Sequence, residues 1–171
     1  MNIQDIVDLA ISAAQKKYGP SNHHMSILPI LYHPEGPYIG YEKINKIQIV
    51  INDSCKGNLS QAFYQISHEA LHTLSPVTRD VVTVLEEGIA THFSHEFTKA
   101  KTGDEWNPAP EDVKYVNARD RVIELITLVP DALEQIRYKF GGFSPLDANE
   151  LAKMFQNVNS GLLKELSLPF N

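Results

Sequence analysis

Two histidines and a glutamate in the segment QISHEALHTLS, residues 65–75, have the spacing found in metal-dependent hydrolases. His68 and His72 stand four residues apart, and Glu69 directly follows the first histidine. On an α-helix the two imidazoles project about 40° apart and are separated by one turn of about 6 Å, so they can share one metal ion. Glu69 projects about 100° from His68, where its carboxylate can accept a proton from a metal-bound water. The alternative is a surface helix that carries two ordinary histidines.

The pattern around this motif predicts an amphipathic helix over residues 60–74. Its core face is predicted from four apolar residues that fall within about 60° of one another on a helix, namely Phe63, Ile66, Ala70 and Leu74. His68 and His72 fall on the opposite side. This arrangement leaves both imidazoles available to a ligand.

A third metal ligand is expected on the next predicted helix, residues 82–98. A catalytic zinc ion needs three protein ligands and an open position for water, and two histidines with a glutamate form one established set. Glu86 and Glu87 follow the histidine pair after the segment TLSPVTRD, whose proline can turn the chain back. Either glutamate is a candidate ligand, and His92 and His95 are alternative donors on the same helix.

At these residues the sequence resembles the gluzincin metallopeptidases, the superfamily of thermolysin-like peptidases and zinc aminopeptidases. The second gluzincin motif reads approximately Asn-Glu-Gly/Ala-x-Ala. The segment LEEGIATHF, residues 85–93, aligns with it through Leu85, Glu87, Gly88, Ala90 and Phe93. The resemblance implies a zincin-like fold with Glu87 on zinc and Glu86 in the usual asparagine position. The metzincin pattern HExxHxxGxxH is absent, since Ser75 and Thr78 occupy its glycine and last-histidine positions.

A second donor usually helps to stabilise the negative charge that develops on a carbonyl oxygen during hydrolysis. The downstream candidates are Tyr115, Arg119, Arg121, Arg137 and Tyr138. In the aminopeptidase branch, a tyrosine that donates to this oxygen opens a helix with the pattern Tyr-x-x-Gly-x-x-Val-x-x-x-Leu. DVKYVNARDRVIELI, residues 112–126, resembles that pattern, which implies the same role for Tyr115. The alternative is a core tyrosine with a satisfied hydroxyl.

The rest of the chain predicts an α+β fold, with a small mixed sheet in the N-terminal half and a helical C-terminal half. Short strands are predicted in MSILPILYH and KINKIQIVIN, and the alternation in KIQIVIN predicts one buried face. The resemblance implies that this strand is an edge strand that binds a peptide backbone by strand addition. Ser144 is predicted to cap a helix that starts at Pro145. Further helices are predicted at 3–17, 111–128, 131–139 and 146–157.

Length and composition narrow the class of protein. The 171 residues predict a single domain, residues 1–171, and a net charge of −6 argues against a nucleic-acid partner. No apolar run approaches the roughly 18 residues of a membrane span, so no membrane partner is expected. The N-terminus lacks a basic region before its apolar residues, which argues against a signal peptide and for a cytoplasmic location. Cys55 is the single cysteine and cannot form an intramolecular disulfide.

Together these features predict a zinc metallopeptidase with one Zn²⁺ per chain, bound by His68, His72 and Glu87, with Glu69 as general base and Tyr115 as oxyanion donor. The substrate is expected to be a peptide or protein. The short motif that aminopeptidases use to hold a free amino terminus is not visible upstream of the histidines, which favours an endopeptidase. The alternatives are a binding or regulatory module that retains zinc without turnover, and a metal-free helical interaction protein.

Overall fold

The computed structural model describes residues 2–41, 45–104, 106 and 113–170. The described residues form four strands in the N-terminal half and seven α-helices, so the predicted α+β class is confirmed. Two short 3-10 turns, Asp53–Cys55 and Arg79–Val81, precede the second and third helices. The elements are, in chain order, α1 (Ile3–Tyr18), β1 (Ser26–Ile27), β2 (Leu31–His33), β3 (Tyr38–Tyr41), β4 (Lys46–Asn52), α2 (Leu59–His72), α3 (Val84–Thr102), α4 (Val113–Leu128), α5 (Ala132–Phe140), α6 (Ala148–Met154) and α7 (Ser160–Leu166).

The chain divides into two compact units. Unit 1 comprises Met1–Leu74 with Phe93–Asn107, and unit 2 comprises Ser75–His92 with Pro108–Asn171. Helix α3 contributes its first half to unit 2 and its second half to unit 1. The expectation of a single domain stays a prediction.

In unit 1, β4 is the central strand of a mixed sheet. Strand β3 pairs antiparallel with it, while β1 and β2 pair parallel with its two ends. Residues 47 and 50 have partners in strands on both sides. The prediction that KIQIVIN is an edge strand open to a peptide is therefore wrong, because both of its edges carry strands.

Both faces of β4 are buried, which also corrects the predicted single buried face. Ile47, Ile49 and Ile51 are fully buried, as their alternation predicted, but Gln48 and Val50 on the other face are buried as well. The side-chain amide of Gln48 donates to the carbonyl oxygen of Pro29, which satisfies this polar group in the interior. A central strand covered on both faces does not show the alternation of a half-exposed strand.

Helix α2 lies within unit 1 and is buried around almost its whole circumference. The side chain of Asn58 caps its first turn by accepting the amide of Gln61 at 3.0 Å. Every residue from Ala62 to Leu71 is buried, and so is Leu74, the last of the predicted core positions. Helix α2 is therefore a buried helix and not the surface helix of the alternative interpretation.

In unit 2, the start of α3 is fixed by Thr83 and the C-terminal segment. The hydroxyl of Thr83 accepts the amide of Glu86 at 3.2 Å, and the amide of Val84 donates to the carbonyl oxygen of Leu168 at 2.9 Å. The amide of Phe170 donates to the carbonyl oxygen of Val82 at 2.8 Å. These bonds occupy main-chain groups around the first turn of the helix.

Ser144 does not cap a helix, contrary to the sequence prediction. Its buried hydroxyl accepts the amide of Thr83 at 2.8 Å. The cap of α6 is instead Asp147, whose carboxylate accepts the amides of Asn149 and Glu150 at 2.8 and 3.0 Å. Helix α7 was not predicted, and residues 111 and 112 of the predicted fourth helix lie outside the described residues. None of the described helices is both long enough and apolar enough to span a membrane.

Candidate metal centre

The two motif histidines stand side by side on α2. The centroids of their rings lie 5.2 Å apart, as expected for positions one helical turn apart. His68 is only 7% exposed, whereas His72 is half-buried near the end of the helix. The pair therefore presents two imidazoles in a mostly dehydrated setting, where metal–ligand interactions are strong.

The end of α2 is held in place directly after His72. The Nε2 atom of His23 lies 2.5 Å from the carbonyl oxygen of Thr73, and its Nδ1 accepts the amide of Met25 at 2.9 Å. Because Nδ1 accepts, Nε2 carries the proton and donates to Thr73. The carbonyl oxygen of Leu74 accepts the amide of Asn22 at 2.9 Å. His23 was not predicted as a site residue, since nothing in its local pattern connects it to a helix fifty residues away.

Glu87 joins the two histidines in a group that could hold a metal ion. One donor atom from each of His68, His72 and Glu87 lies within 4.8 Å of the other two. The helix α3 supplies Glu87 from its first turn, where the residue is half-buried. Two imidazole nitrogens and one carboxylate oxygen form a donor set typical of catalytic zinc sites. The donor chemistry of these residues therefore fits a zinc ion.

Glu86, the alternative ligand, has different surroundings. It is 1% exposed and does not belong to the group of possible metal ligands among the described residues. Burial lowers the pKa of the half-buried Arg137, and the negative charge of Glu86 opposes that shift. Arg137 also donates to the hydroxyl of Ser75 at 3.0 Å. Glu86 thus supplies a counter-charge for a half-buried cation inside unit 2.

Glu69, the expected general base, is 5% exposed on α2. Its carbonyl oxygen accepts the amide of Thr73 within the last turn of the helix, which keeps its backbone helical. On the helix its side chain projects about 100° from that of His68. Its position next to His68 in the sequence and its burial make Glu69 a buried carboxylate on the helix that carries the histidine pair.

Within unit 2, Glu87 and Tyr115 line the same cavity. This cavity has a volume of about 460 Å³, and its walls are formed by Arg79, Asp80, Glu87, Lys114, Tyr115 and Phe170. The ring of Tyr115 packs on that of Phe170 with centroids 4.8 Å apart. Tyr115, a predicted site residue, therefore shares a cavity with the candidate ligand. Phe170 was missed, because a lone aromatic residue near a chain end carries no signal in one sequence.

The remaining candidates lie in other settings. The ring of His95 packs against Tyr64 in unit 1 at 5.1 Å, and neither His92 nor His95 belongs to the candidate metal group. The other predicted oxyanion donors do not line the cavity. Arg121 pairs with Glu165 at 3.1 Å and with Glu124 at 3.3 Å, and Tyr138 is 93% exposed.

Comparison with known proteins does not identify a family: no protein-family model, curated protein or solved structure matches the chain. The resemblance to the gluzincins therefore rests on the motif residues alone. Since a fold alone does not determine a function, the function depends on the chemical groups at the site.

Proposed function

We propose that this chain is a zinc-dependent peptidase in which His68, His72 and Glu87 bind one zinc ion. The observation that carries the proposal is the grouping of three donor atoms within 4.8 Å of one another. Glu69, a buried carboxylate adjacent to the first donor on the same helix, distinguishes this arrangement from a purely structural site. A structural zinc site has four protein ligands and no need of a neighbouring base.

Zinc supplies Lewis-acid chemistry when it is bound, and it lowers the pKa of water in its coordination shell. The chain's own residues carry the proton transfers. Glu69 accepts a proton from the water that attacks the carbonyl carbon of the peptide bond, and passes it to the nitrogen of the leaving amine. This sequence of transfers cleaves the carbon–nitrogen bond and leaves a carboxylate and an amine.

Tyr115 donates its hydroxyl proton in a hydrogen bond to the carbonyl oxygen as negative charge develops there. Its presence in the cavity that Glu87 lines supports this role. Packing of its ring against Phe170 restricts the directions available to the hydroxyl. A donor that is already in position needs little reorganisation during the reaction.

The decisive experiment replaces Glu69 with glutamine, which keeps the size of the side chain and removes the base. A peptide library first identifies a cleaved sequence for the wild-type protein. Glu69→Gln should then cleave it about 10²–10⁴-fold more slowly, the usual contribution of a general base. Zinc content, measured by plasma mass spectrometry, and the unfolding midpoint should stay close to those of the wild type.

Glu134→Gln is the matched control, because Glu134 is an exposed glutamate on α5. It removes the same charge and should cleave at the wild-type rate. Wild-type activity in Glu69→Gln would overturn the mechanism. Full zinc occupancy without cleavage of any library peptide would instead favour a binding or regulatory module that retains zinc.

A further inference from the structure

Two cationic side chains line the cavity that contains Glu87 and Tyr115. Arg79 comes from the 3-10 turn before α3, and Lys114 comes from the first turn of α4. Both residues are exposed, so their charged groups can meet a ligand without a large desolvation cost. The function proposed above assigns no role to either residue.

Neither cation is neutralised by a carboxylate within the described part of unit 2. No ion pair of 4.0 Å or less joins Arg79 or Lys114 to a described acidic residue. The ammonium group of Lys114 lies 4.9 Å from the ring centroid of Phe170 and 5.5 Å from that of Tyr115. Aromatic faces stabilise a cation there while leaving its hydrogen atoms available to an anion.

The charges on the cavity wall favour an anionic ligand once Glu87 is bound to a metal ion. Arg79 and Lys114 then contribute two positive charges, and Asp80 contributes one negative charge. The chain as a whole carries a net charge of −6, so its overall field repels anions. Attraction of an anion to the part of the cavity away from the metal ion therefore depends on the local pair of cations.

We propose that Arg79 and Lys114 bind a carboxylate of the substrate, so that the cleaved peptides carry an acidic side chain or a free C-terminus near the scissile bond. The proposal rests on the proposed peptidase function. The fork of the Arg79 guanidinium suits two-point binding of a carboxylate, and the Lys114 ammonium adds a point charge. The rings of Tyr115 and Phe170 offer an apolar wall for the methylene groups of the ligand.

The test measures binding of small probes to the zinc-loaded full chain by NMR titration. N-acetyl-glutamate α-amide carries only a side-chain carboxylate, N-acetyl-alanine carries only a main-chain carboxylate, and N-acetyl-glutamine α-amide carries neither. At least one of the two carboxylate probes should bind more tightly than the neutral probe. The tighter of the two identifies which carboxylate the cavity takes. Added salt should weaken that preference, because the cations are exposed.

Variants then test whether these two cations produce the preference. Arg79→Gln and Lys114→Gln should each weaken carboxylate binding about two- to tenfold, while the neutral probe is unaffected. Asp80→Asn should strengthen carboxylate binding. Lys164→Gln, at an exposed lysine of α7 outside the cavity lining, is the matched control and should change nothing.

Equal affinity for all three probes would overturn this proposal, and so would an effect of Lys164→Gln as large as that of Lys114→Gln. Zinc content is measured on the same samples. One zinc per chain without a carboxylate preference would remove the inference and leave the proposed function intact. A carboxylate preference in a protein that takes up no zinc would overturn the peptidase proposal instead.

Discussion

Glu86 and Glu87 are consecutive residues of α3, yet they have different partners. Glu87 lines the cavity with Tyr115 and groups with the two motif histidines. Glu86 is buried, and its negative charge opposes the lowering of the Arg137 pKa by burial. A step of one residue on a helix turns the side chain by about 100°, which is enough to separate the two roles. The difference can be tested residue by residue.

Glu87→Gln should weaken zinc binding by more than about 100-fold, beyond the loss caused by residues that only support ligands. Glu86→Gln should leave zinc binding nearly intact, and should lower the free energy of unfolding by up to about 3 kcal/mol, because Arg137 loses a buried counter-charge. Competition with a zinc-binding dye and urea unfolding measure the two quantities. The reverse order of zinc affinities would place the ligand at Glu86.

The purified chain should contain about one zinc ion, and replacement of both His68 and His72 by alanine should abolish its binding. Plasma mass spectrometry after expression with added zinc gives the stoichiometry. His24→Ala, at an exposed histidine, controls for adventitious binding to imidazoles. Retention of zinc by the double variant would exclude this site.

Tyr115→Phe should reduce peptide cleavage about 10–10³-fold while zinc content stays unchanged, because only the hydroxyl is removed. The ring still packs on Phe170, so the fold should be preserved. Tyr138→Phe is the matched control, since Tyr138 is exposed and does not line the cavity. Equal rates for Tyr115→Phe and the wild type would remove Tyr115 from the mechanism.

Gly88→Ala should destabilise the fold by about 1–3 kcal/mol, although alanine is the better helix former. An added Cβ would lie 2.6 Å from Cγ2 of Val122 and closer still to the carbonyl oxygen of Ala118. Gly40→Ala is the control, because a Cβ there meets its nearest neighbour at an ordinary 3.6 Å. Chemical unfolding of both variants measures the difference, and equal stabilities would contradict the close approach of α3 and α4.

Cys55 should make stability depend on pH in the alkaline range. Burial raises the pKa of its thiol from 9.0 to about 12, and its Sγ donates to Oε1 of Gln65 at 3.2 Å. Below pH 9 both folded and unfolded chains keep the proton. Between pH 9 and 12 the unfolded chain releases it and the folded chain does not, so stability falls as pH rises.

At pH 10 this linkage is worth roughly 1 kcal/mol. The free energy of unfolding is measured for the wild type and for Cys55→Ala at pH 7 and pH 10. The difference between the two proteins gives the contribution of the thiol, because the other titrating groups are common to both. The wild type should lose about that much more stability than the variant over this interval. A thiol reagent should also react with Cys55 only after unfolding. Parallel losses in the two proteins would contradict the buried thiol.

The sequence predicted those parts of the fold and site that depend on local spacing. The i, i+4 geometry of α2 follows from helix periodicity, so the neighbouring positions of His68 and His72 could be predicted from their numbers alone. Local spacing left both Glu86 and Glu87 as candidate ligands, and only the resemblance of LEEGIATHF to the second gluzincin motif favoured Glu87. Most of the predicted helix ends lie within two residues of the observed ends, because capping depends on neighbouring residues.

Features that depend on distant parts of the chain could not be predicted. The central position of β4 is decided by pairing with three other strands, and an isolated alternating segment does not indicate how many neighbours it has. Ser144 has the local signal of a helix cap, but its hydroxyl accepts the amide of Thr83, which is sixty-one residues away. His23 and Phe170 reach the site region through tertiary contacts that leave no trace in local sequence.

The glycine at position 88 affects the geometry of the cavity as well as stability. Because it lets the backbones of α3 and α4 approach closely, it influences the spacing between the residues that these helices contribute to the cavity lining, Glu87 from α3 and Lys114 and Tyr115 from α4. A larger residue at this position would push the two helices apart and widen the gap that a ligand must bridge. An uncharged residue outside the cavity lining would thereby control the width of the cavity, and replacing it offers a way to change which ligands fit without altering any lining side chain.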